Sequence, residues 1–166
     1  MPEIDRGVGE PAPIGAEPPT LPFAATVWRA QLAGADPLAT VRAPEGRFHH
    51  SGQLAIYASL TAEGSAVAIR RYLRDADPPR VVVPLRVAAQ RILDMTGRSA
   101  LSVVWQDIRA LGARSPTWAF SDAARAAGAQ GMLYSSRSRP DLTHLVLFDL
   151  SPAVVLGAGE PLPFPS

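Results

Sequence analysis

The sequence contains no cysteine, no lysine and no asparagine, and its 16 basic residues are all arginines. The lack of cysteine excludes disulfide scaffolds, thiolate-bound zinc, iron–sulfur clusters and thiol nucleophiles. The lack of lysine means that any cation binding an anionic ligand is an arginine, whose planar fork can hold two phosphate oxygens. Because 15 acidic residues offset the arginines, the near-balanced charge disfavours a nucleic-acid-binding regulator.

Long hydrophobic runs are also missing, so the sequence predicts no membrane span. It begins Met-Pro-Glu-Ile-Asp, without the basic and apolar regions of a signal peptide, and we expect a cytoplasmic protein. His49 and His50 are neighbours whose side chains would point apart in an extended segment, which makes a shared metal ion unfavourable, and we expect no metal. The sequence also lacks a P-loop, a Gly-x-Gly-x-x-Gly fingerprint and a Gly-x-Ser-x-Gly elbow.

The 17 prolines are concentrated toward the two ends of the chain. Residues 1–22 hold six prolines and three glycines, a composition that predicts an extended N-terminal arm. Residues 23–150 are predicted to form one domain, and residues 151–166, again rich in proline, a separate C-terminal segment.

Strand and helix patterns alternate between these ends. Strands are predicted over residues 26–30, 54–59, 80–87, 91–95, 131–135 and 143–150. Helices are predicted over residues 62–73, 99–111 and 116–127. Thr61 can cap the first helix, and Gly112 and Gly128 can end the other two. The connections are too short and irregular for regular parallel crossovers, so we predict a mixed α+β domain.

Two segments carry candidate binding groups. Arg47 lies between Gly46 and Phe48, shortly before a predicted strand that contains Tyr57. A guanidinium beside a glycine loop can clamp a phosphate or diphosphate, although a surface salt bridge is the more common role of such an arginine. Near the other end, Ser136 follows a predicted strand, where its hydroxyl can bind a ligand or cap a turn.

Taken in order and spacing, these segments resemble the RES-domain family. Its members are NAD+-consuming toxins of bacterial toxin–antitoxin pairs, related in fold to ADP-ribosyltransferases. The segments that carry the resemblance are Trp28-Arg29-Ala30, GRFHHSG from Gly46, AIYASL from Ala55, the helix that follows, YSSR from Tyr134 and HLVLF from His144. The resemblance covers about Phe23 to Leu150 and implies an ADP-ribosyltransferase-like mixed β core flanked by helices.

The resemblance implies a role for several residues. Arg47 would clamp the diphosphate of NAD+, Tyr57 would stack on the nicotinamide ring, and Ser136 would hydrogen-bond the carboxamide or the ribose. The other implied NAD+-binding residues are Arg29, His49 and His144.

One family residue is missing from this sequence. The family places a glutamate eleven residues after the tyrosine, where this chain has Ala68. A carboxylate suits this chemistry because breaking the nicotinamide–ribose bond builds positive charge on the sugar. Glu63, on the same predicted helix, is our first candidate for the catalytic carboxylate, although it lies about 140° around the helix from position 68. The other candidates are Glu45, Asp107 and Asp122.

The resemblance therefore implies a toxin that cleaves NAD+, its co-substrate, and transfers ADP-ribose to a cellular protein. Ala68 leaves two alternatives open: a glycohydrolase or phosphorylase that depletes NAD+, and an NAD-binding or partner-binding module with weakened catalysis. The family also implies an antitoxin partner of the Xre helix-turn-helix type, through which any DNA contact would occur. We expect self-association, for example as a homodimer, and no direct contact with nucleic acid or membrane.

Overall fold

A seven-stranded mixed sheet forms the centre of the computed structural model, which describes residues 18–165. Its strands are β1 (Thr20–Leu32), β2 (Ile56–Ser59), β3 (Arg80–Asp94), β4 (Gly131–Ser135), β5 (Thr143–Leu147), β6 (Val155–Ala158) and β7 (Leu162–Pro163). The helices are α1 (Ala62–Ile69), α2 (Trp105–Ala110) and α3 (Thr117–Ala126). Short 3-10 turns span Arg70–Tyr72 and Ser99–Leu101. The predicted α+β class is confirmed.

Five of the strands pair in a closed ring. β1 pairs with both β2 and β3, and the ring continues from β2 through β5 and β4 back to β3. The β3–β4 pair is parallel, and the other pairs of the ring are antiparallel. Within residues 18–165, no helix has the length and hydrophobicity needed to cross a membrane.

Alternate residues of β4 and β5 pack into two separate hydrophobic cores, because successive side chains of a strand point to opposite faces. Leu133 and Leu145 belong to one core, and Met132 and Val146 to the other. The second core also contains Phe48, so the segment around residue 48 is packed against the sheet. This packing fixes the loop that carries Arg47.

Two predicted elements differ from those in the structure. The strands predicted over residues 80–87 and 91–95 are one strand, β3, because β1 pairs with it from Arg80 to Leu93. The helix predicted over residues 99–111 is broken between the 3-10 turn and α2. At the end of the turn and in the break after it, the carbonyl groups of Leu101 and Val103 accept hydrogen bonds from Arg47 and not from helix N–H groups.

Both proline-rich ends contribute to the sheet. β6 and β7, within the predicted C-terminal segment 151–166, pair with β3. Their four and two residues are too few to give a strand pattern in the sequence. At the other end, residues 20–22 of the predicted arm belong to β1, whereas residues 1–17 lie outside the described residues.

Candidate active site

A cleft of about 590 Å³ opens on one side of the sheet. The segment 45–49, here called the loop wall, and the segment 65–69 of α1, here called the helix wall, both contribute residues to its lining. Ser59, Tyr134, Ser136 and His144 also line it and are here called its floor. The six predicted NAD+-binding residues all line this cleft, and they are Arg29, Arg47, His49, Tyr57, Ser136 and His144.

Helix α3 holds the backbone of the loop wall through three side chains. The Thr117 hydroxyl, the Trp118 indole N–H and an N–H of Arg125 each donate a hydrogen bond to one of the three successive carbonyl groups of residues 46–48. The Trp118 bond is 2.8 Å long and the Arg125 bond 2.9 Å. Because buried carbonyl groups need partners, these bonds fix the conformation from which Arg47 extends.

The Tyr57 hydroxyl connects the loop wall to β2. It accepts a 2.8 Å hydrogen bond from the Phe48 N–H and donates one of 2.8 Å to Nδ1 of His49. This assignment follows because Nε2 of His49 lies 2.8 Å from the Ala43 carbonyl and must carry the proton. Burial lowers the pKa of His49, which favours this neutral ring. A Cβ atom on Gly46 would lie 2.9 Å from Tyr57 Oη, so only glycine fits there.

The Arg47 side chain enters the cleft with part of its guanidinium unpaired. Nη1 donates to the carbonyl groups of Leu101 at 2.8 Å and Val103 at 2.7 Å. Within residues 18–165, no carboxylate pairs with Arg47, and its Nε and Nη2 have no hydrogen-bond partner. Burial lowers the pKa of Arg47, but arginine remains charged at any physiological pH. The geometry therefore leaves a held cation with free donors for an anion.

The floor supplies neutral hydrogen-bonding groups. Nδ1 of His144 lies 2.6 Å from the Ser59 hydroxyl. Burial, assisted by the positive charge of Arg47, lowers the pKa of His144 to about 4, so the ring is neutral at pH 7. The Tyr134 ring lies 5.4 Å from the His144 ring, and burial raises the Tyr134 pKa. These groups can donate or accept hydrogen bonds without adding charge.

Ser136 and Arg29 line the cleft and also form hydrogen bonds within the protein. The Ser136 Oγ accepts the Arg139 N–H at 3.2 Å, which leaves its own O–H free to donate. Arg29 donates from Nη1 to the carbonyl groups of Pro37 and Ala39, each at 2.7 Å. Arg29 thus fixes the loop after β1 as well as lining the cleft.

Of the four candidate carboxylates, only one lines the cleft. Glu63 is not among the residues that line the cleft; its side chain is 61% exposed and lies 3.6 Å from the Arg139 guanidinium. Ala68 does line the cleft, so the position that the family fills with glutamate faces it with a methyl group. Asp107 does not line the cleft, and Asp122 pairs away from it with His50 and Arg114. Glu45 lines the cleft.

Several aromatic residues of the cleft were not among the predicted site residues. They are Trp28, Tyr72, Trp105 and Tyr134. Tyr134 could have been found from its spacing, because it lies two residues before Ser136 in an extended segment and so points to the same side. Tyr72 and Trp105 follow helix-like patterns that give no such signal. Aromatic rings next to a free arginine suit a ligand that carries both phosphates and planar rings.

The cleft has an excess of positive charge. Four arginines line it, namely Arg29, Arg47, Arg71 and Arg137. Within residues 18–165, one acidic residue, Glu45, lines it. This balance favours an anionic ligand.

A family model and a solved structure both match this chain. The family model of the RES domain matches residues 26–165. A chain in the crystal structure of the M. tuberculosis MbcT–MbcA toxin–antitoxin complex has a similar fold, with a TM-score of 0.64 and 20% sequence identity. The match covers 87% of this chain and 86% of that chain. A search of curated protein sequences finds no match.

Proposed function

The chain belongs to the RES domain family, and we propose that its cleft binds NAD+ and breaks the bond between nicotinamide and ribose. The ADP-ribose is then transferred to a side chain of a cellular protein. The observation that carries this proposal is the partly unpaired guanidinium of Arg47, held among aromatic rings and neutral hydrogen-bonding groups. A diphosphate flanked by two nucleoside rings matches that combination.

Four cleft residues contact NAD+ in the proposed complex. Arg47 donates from Nε and Nη2 to the diphosphate, and the Tyr57 ring packs on the nicotinamide. The Ser136 hydroxyl donates to the carboxamide or to the ribose. His144, neutral because of its low pKa, accepts or donates a hydrogen bond through Nε2. These contacts hold the sugar in one orientation, which lowers the entropic part of the barrier.

The reaction needs no general acid. When the bond from ribose C1′ to the nicotinamide nitrogen breaks, its electron pair returns to that nitrogen, and nicotinamide leaves as a neutral molecule. The acceptor side chain forms the new bond to C1′ with a lone pair and releases its proton to solvent. Positive charge builds on the sugar between these two events, as in glycoside cleavage. A nearby carboxylate would stabilise that charge.

A toxin–antitoxin context is part of the proposal. The similar chain belongs to a toxin–antitoxin complex, and this supports an antitoxin partner for the present protein. We propose an antitoxin of the Xre helix-turn-helix type that covers the cleft. Covering Arg47 would prevent NAD+ from entering.

A second candidate is an NAD+-binding module with little catalysis. The observation that favours it is the methyl group of Ala68 in the cleft, together with the position of Glu63 outside it. In that case NAD+ would bind through Arg47 without losing nicotinamide. A third candidate is an enzyme that transfers ADP-ribose to water or phosphate, and it applies if one of these molecules, and not a protein side chain, bonds to C1′.

NAD+ labelled on its adenylate phosphate separates these outcomes. Purified protein is incubated with the label, with and without cell lysate, beside Arg47→Met. Transfer predicts a labelled protein band that Arg47→Met does not produce. Free labelled ADP-ribose or its phosphate would instead indicate hydrolysis or phosphorolysis, and unchanged NAD+ under both conditions would contradict the enzymatic proposal.

A further inference from the structure

We propose that Glu45, oriented by Arg109, is the catalytic carboxylate of this cleft and takes over the function of the glutamate absent at position 68. The inference rests on the proposed function, since it assigns the group that stabilises the sugar during NAD+ cleavage. Within residues 18–165, Glu45 is the one acidic residue among those that line the cleft.

The Glu45 carboxylate is held in one orientation. Arg109 donates from Nε to Oε1 and from Nη2 to Oε2, each at 3.0 Å. Arg109 is fixed in turn by its Nη1 bond of 3.0 Å to the Ala113 carbonyl and by the Trp118 ring, whose centre lies 5.2 Å from its guanidinium carbon. Each carboxylate oxygen has a second lone pair that this bidentate contact does not use. A ribose hydroxyl can therefore still donate to Glu45.

The charge of Glu45 is also maintained. Its hydrogen bonds from Arg109, together with the charge of that guanidinium, lower the pKa of the Glu45 carboxyl. The carboxylate is thus ionised throughout the neutral range. Its side chain is 36% exposed, so solvent and a ligand can reach it.

The position of Glu45 in the chain connects its backbone to the proposed nicotinamide contact. Gly46 follows it directly and packs so closely on Tyr57 that an added Cβ would lie 2.9 Å from the tyrosine hydroxyl. The Tyr57 ring is the proposed nicotinamide contact, and the scissile bond joins nicotinamide to the ribose. Because Glu45 and Tyr57 both line the cleft, we infer that the Glu45 carboxylate can reach the sugar on which positive charge develops.

In the proposed step, the ribose 2′-hydroxyl donates a hydrogen bond to Glu45 while the C1′–nitrogen bond breaks. The electron pair leaves with nicotinamide, and the negative charge of Glu45 opposes the positive charge that forms on the sugar. Glu45 is neither protonated nor covalently bonded in this step. Its effect is electrostatic, so it should change kcat more than the binding of NAD+.

Three variants test the assignment: Glu45→Gln, Ala68→Glu and the double variant. Glutamine keeps the size of Glu45 and can still contact Arg109, but it has no charge. We expect Glu45→Gln to lower kcat for nicotinamide release by about 100-fold, the usual loss for one electrostatic contact to a transition state. The dissociation constant for NAD+, measured by calorimetry, should remain within about threefold, because the contact strengthens only in the transition state.

Ala68→Glu supplies a carboxylate from the helix wall, where position 68 also lines the cleft. The kcat of the double variant should be at least about tenfold higher than that of Glu45→Gln, since a charge at either position can face the sugar. Glu63→Gln is the matched control, because it removes a carboxylate of the same helix outside the cleft. It should leave kcat and NAD+ binding unchanged.

The outcomes separate this inference from the proposed function. If the unmodified protein binds NAD+ but releases no nicotinamide, the proposed function fails. If it releases nicotinamide and Glu45→Gln does so at the same kcat, only the assignment of Glu45 fails. A loss of NAD+ affinity equal to the loss of rate would also overturn the assignment, because it would indicate a structural role. A folded, NAD+-binding double variant that is no faster than Glu45→Gln would overturn it as well.

Discussion

The loop wall and the helix wall line the same cleft, but they are held in different ways. In the loop wall, three side chains of α3 bind the successive carbonyl groups of residues 46–48, and Arg109 binds Glu45. In the helix wall, Ala68 presents a methyl group, and the nearby Glu63 pairs at the surface with Arg139. We infer from the difference that ligand binding and charge stabilisation both come from the loop wall. The helix wall supplies shape only.

Removal of the cation from the loop wall should have the largest effect on binding. Arg47→Met keeps the length of the side chain but cannot donate to the diphosphate. We expect the dissociation constant for NAD+ to rise by about 100-fold, as for the loss of two hydrogen bonds from a charged group. Calorimetry with NAD+ measures this.

Arg137→Met is the control for Arg47→Met, because Arg137 also lines the cleft but is exposed to solvent. It should weaken binding only about twofold, since exposed charges are screened. Equal losses from the two variants would mean that the loop wall has no special part in binding.

The lowered pKa of His144, a residue of the floor, predicts that the free energy of unfolding depends on pH. His144 has a pKa of about 4 in the folded protein and an ordinary value of 6.5, so between these values the unfolded chain binds a proton that the folded chain does not. Stability is therefore complete above pH 6.5 and is lost as the pH falls toward 4. His144 should contribute a loss of about 2 kcal/mol between pH 7 and pH 5.

Urea unfolding at both pH values, of the unmodified protein and of His144→Gln, measures this contribution. Glutamine does not titrate, so the variant should lose less stability than the unmodified protein over this interval. The His49 pKa is also lowered, but His49 is present in both proteins, and its contribution cancels in the comparison. Parallel pH curves would contradict the burial of His144 as a neutral ring.

The contacts from α3 predict a moderate effect on ligand binding. Thr117→Val keeps the shape of the side chain but removes the hydroxyl that binds the Arg47 carbonyl. The freed carbonyl is partly buried, so we expect the free energy of unfolding to fall by about 1–2 kcal/mol and NAD+ to bind about tenfold more weakly. Ser121→Ala is the matched control, because the Ser121 hydroxyl bonds within α3 and not to the loop. If Ser121→Ala weakened NAD+ binding as much, the effect of Thr117 would be on the helix and not on the loop wall.

The smallest effect is expected outside the cleft. Glu63→Gln removes an exposed ion pair with Arg139, and such pairs contribute about 0–1 kcal/mol. Nicotinamide release should stay within about twofold of the unmodified protein, because the charge does not reach the sugar. A tenfold lower rate of nicotinamide release would mean that Glu63, on α1, takes part in catalysis, and that the loop wall is not the only source of charge stabilisation.

The sequence was informative where a short pattern determines the structure, as in β4 and in the glycine before Arg47. It was uninformative about contacts between distant segments. Glu45 and Arg109 are 64 residues apart, and Ser59 and His144 are 85 apart, so no local pattern relates either pair. For this reason Glu63, which shares a helix with position 68, appeared the better candidate although it lies outside the cleft.

The central claim is that the cleft breaks NAD+ at the nicotinamide–ribose bond, and release of nicotinamide from NAD+ labelled in that ring tests it most directly. Purified protein, free of any antitoxin, is followed over time at several enzyme concentrations. We expect release proportional to enzyme, abolished in Arg47→Met and retained in Glu63→Gln. No release from unmodified protein that calorimetry shows to bind NAD+ would mean that the cleft does not break NAD+ and that the protein is a binding module.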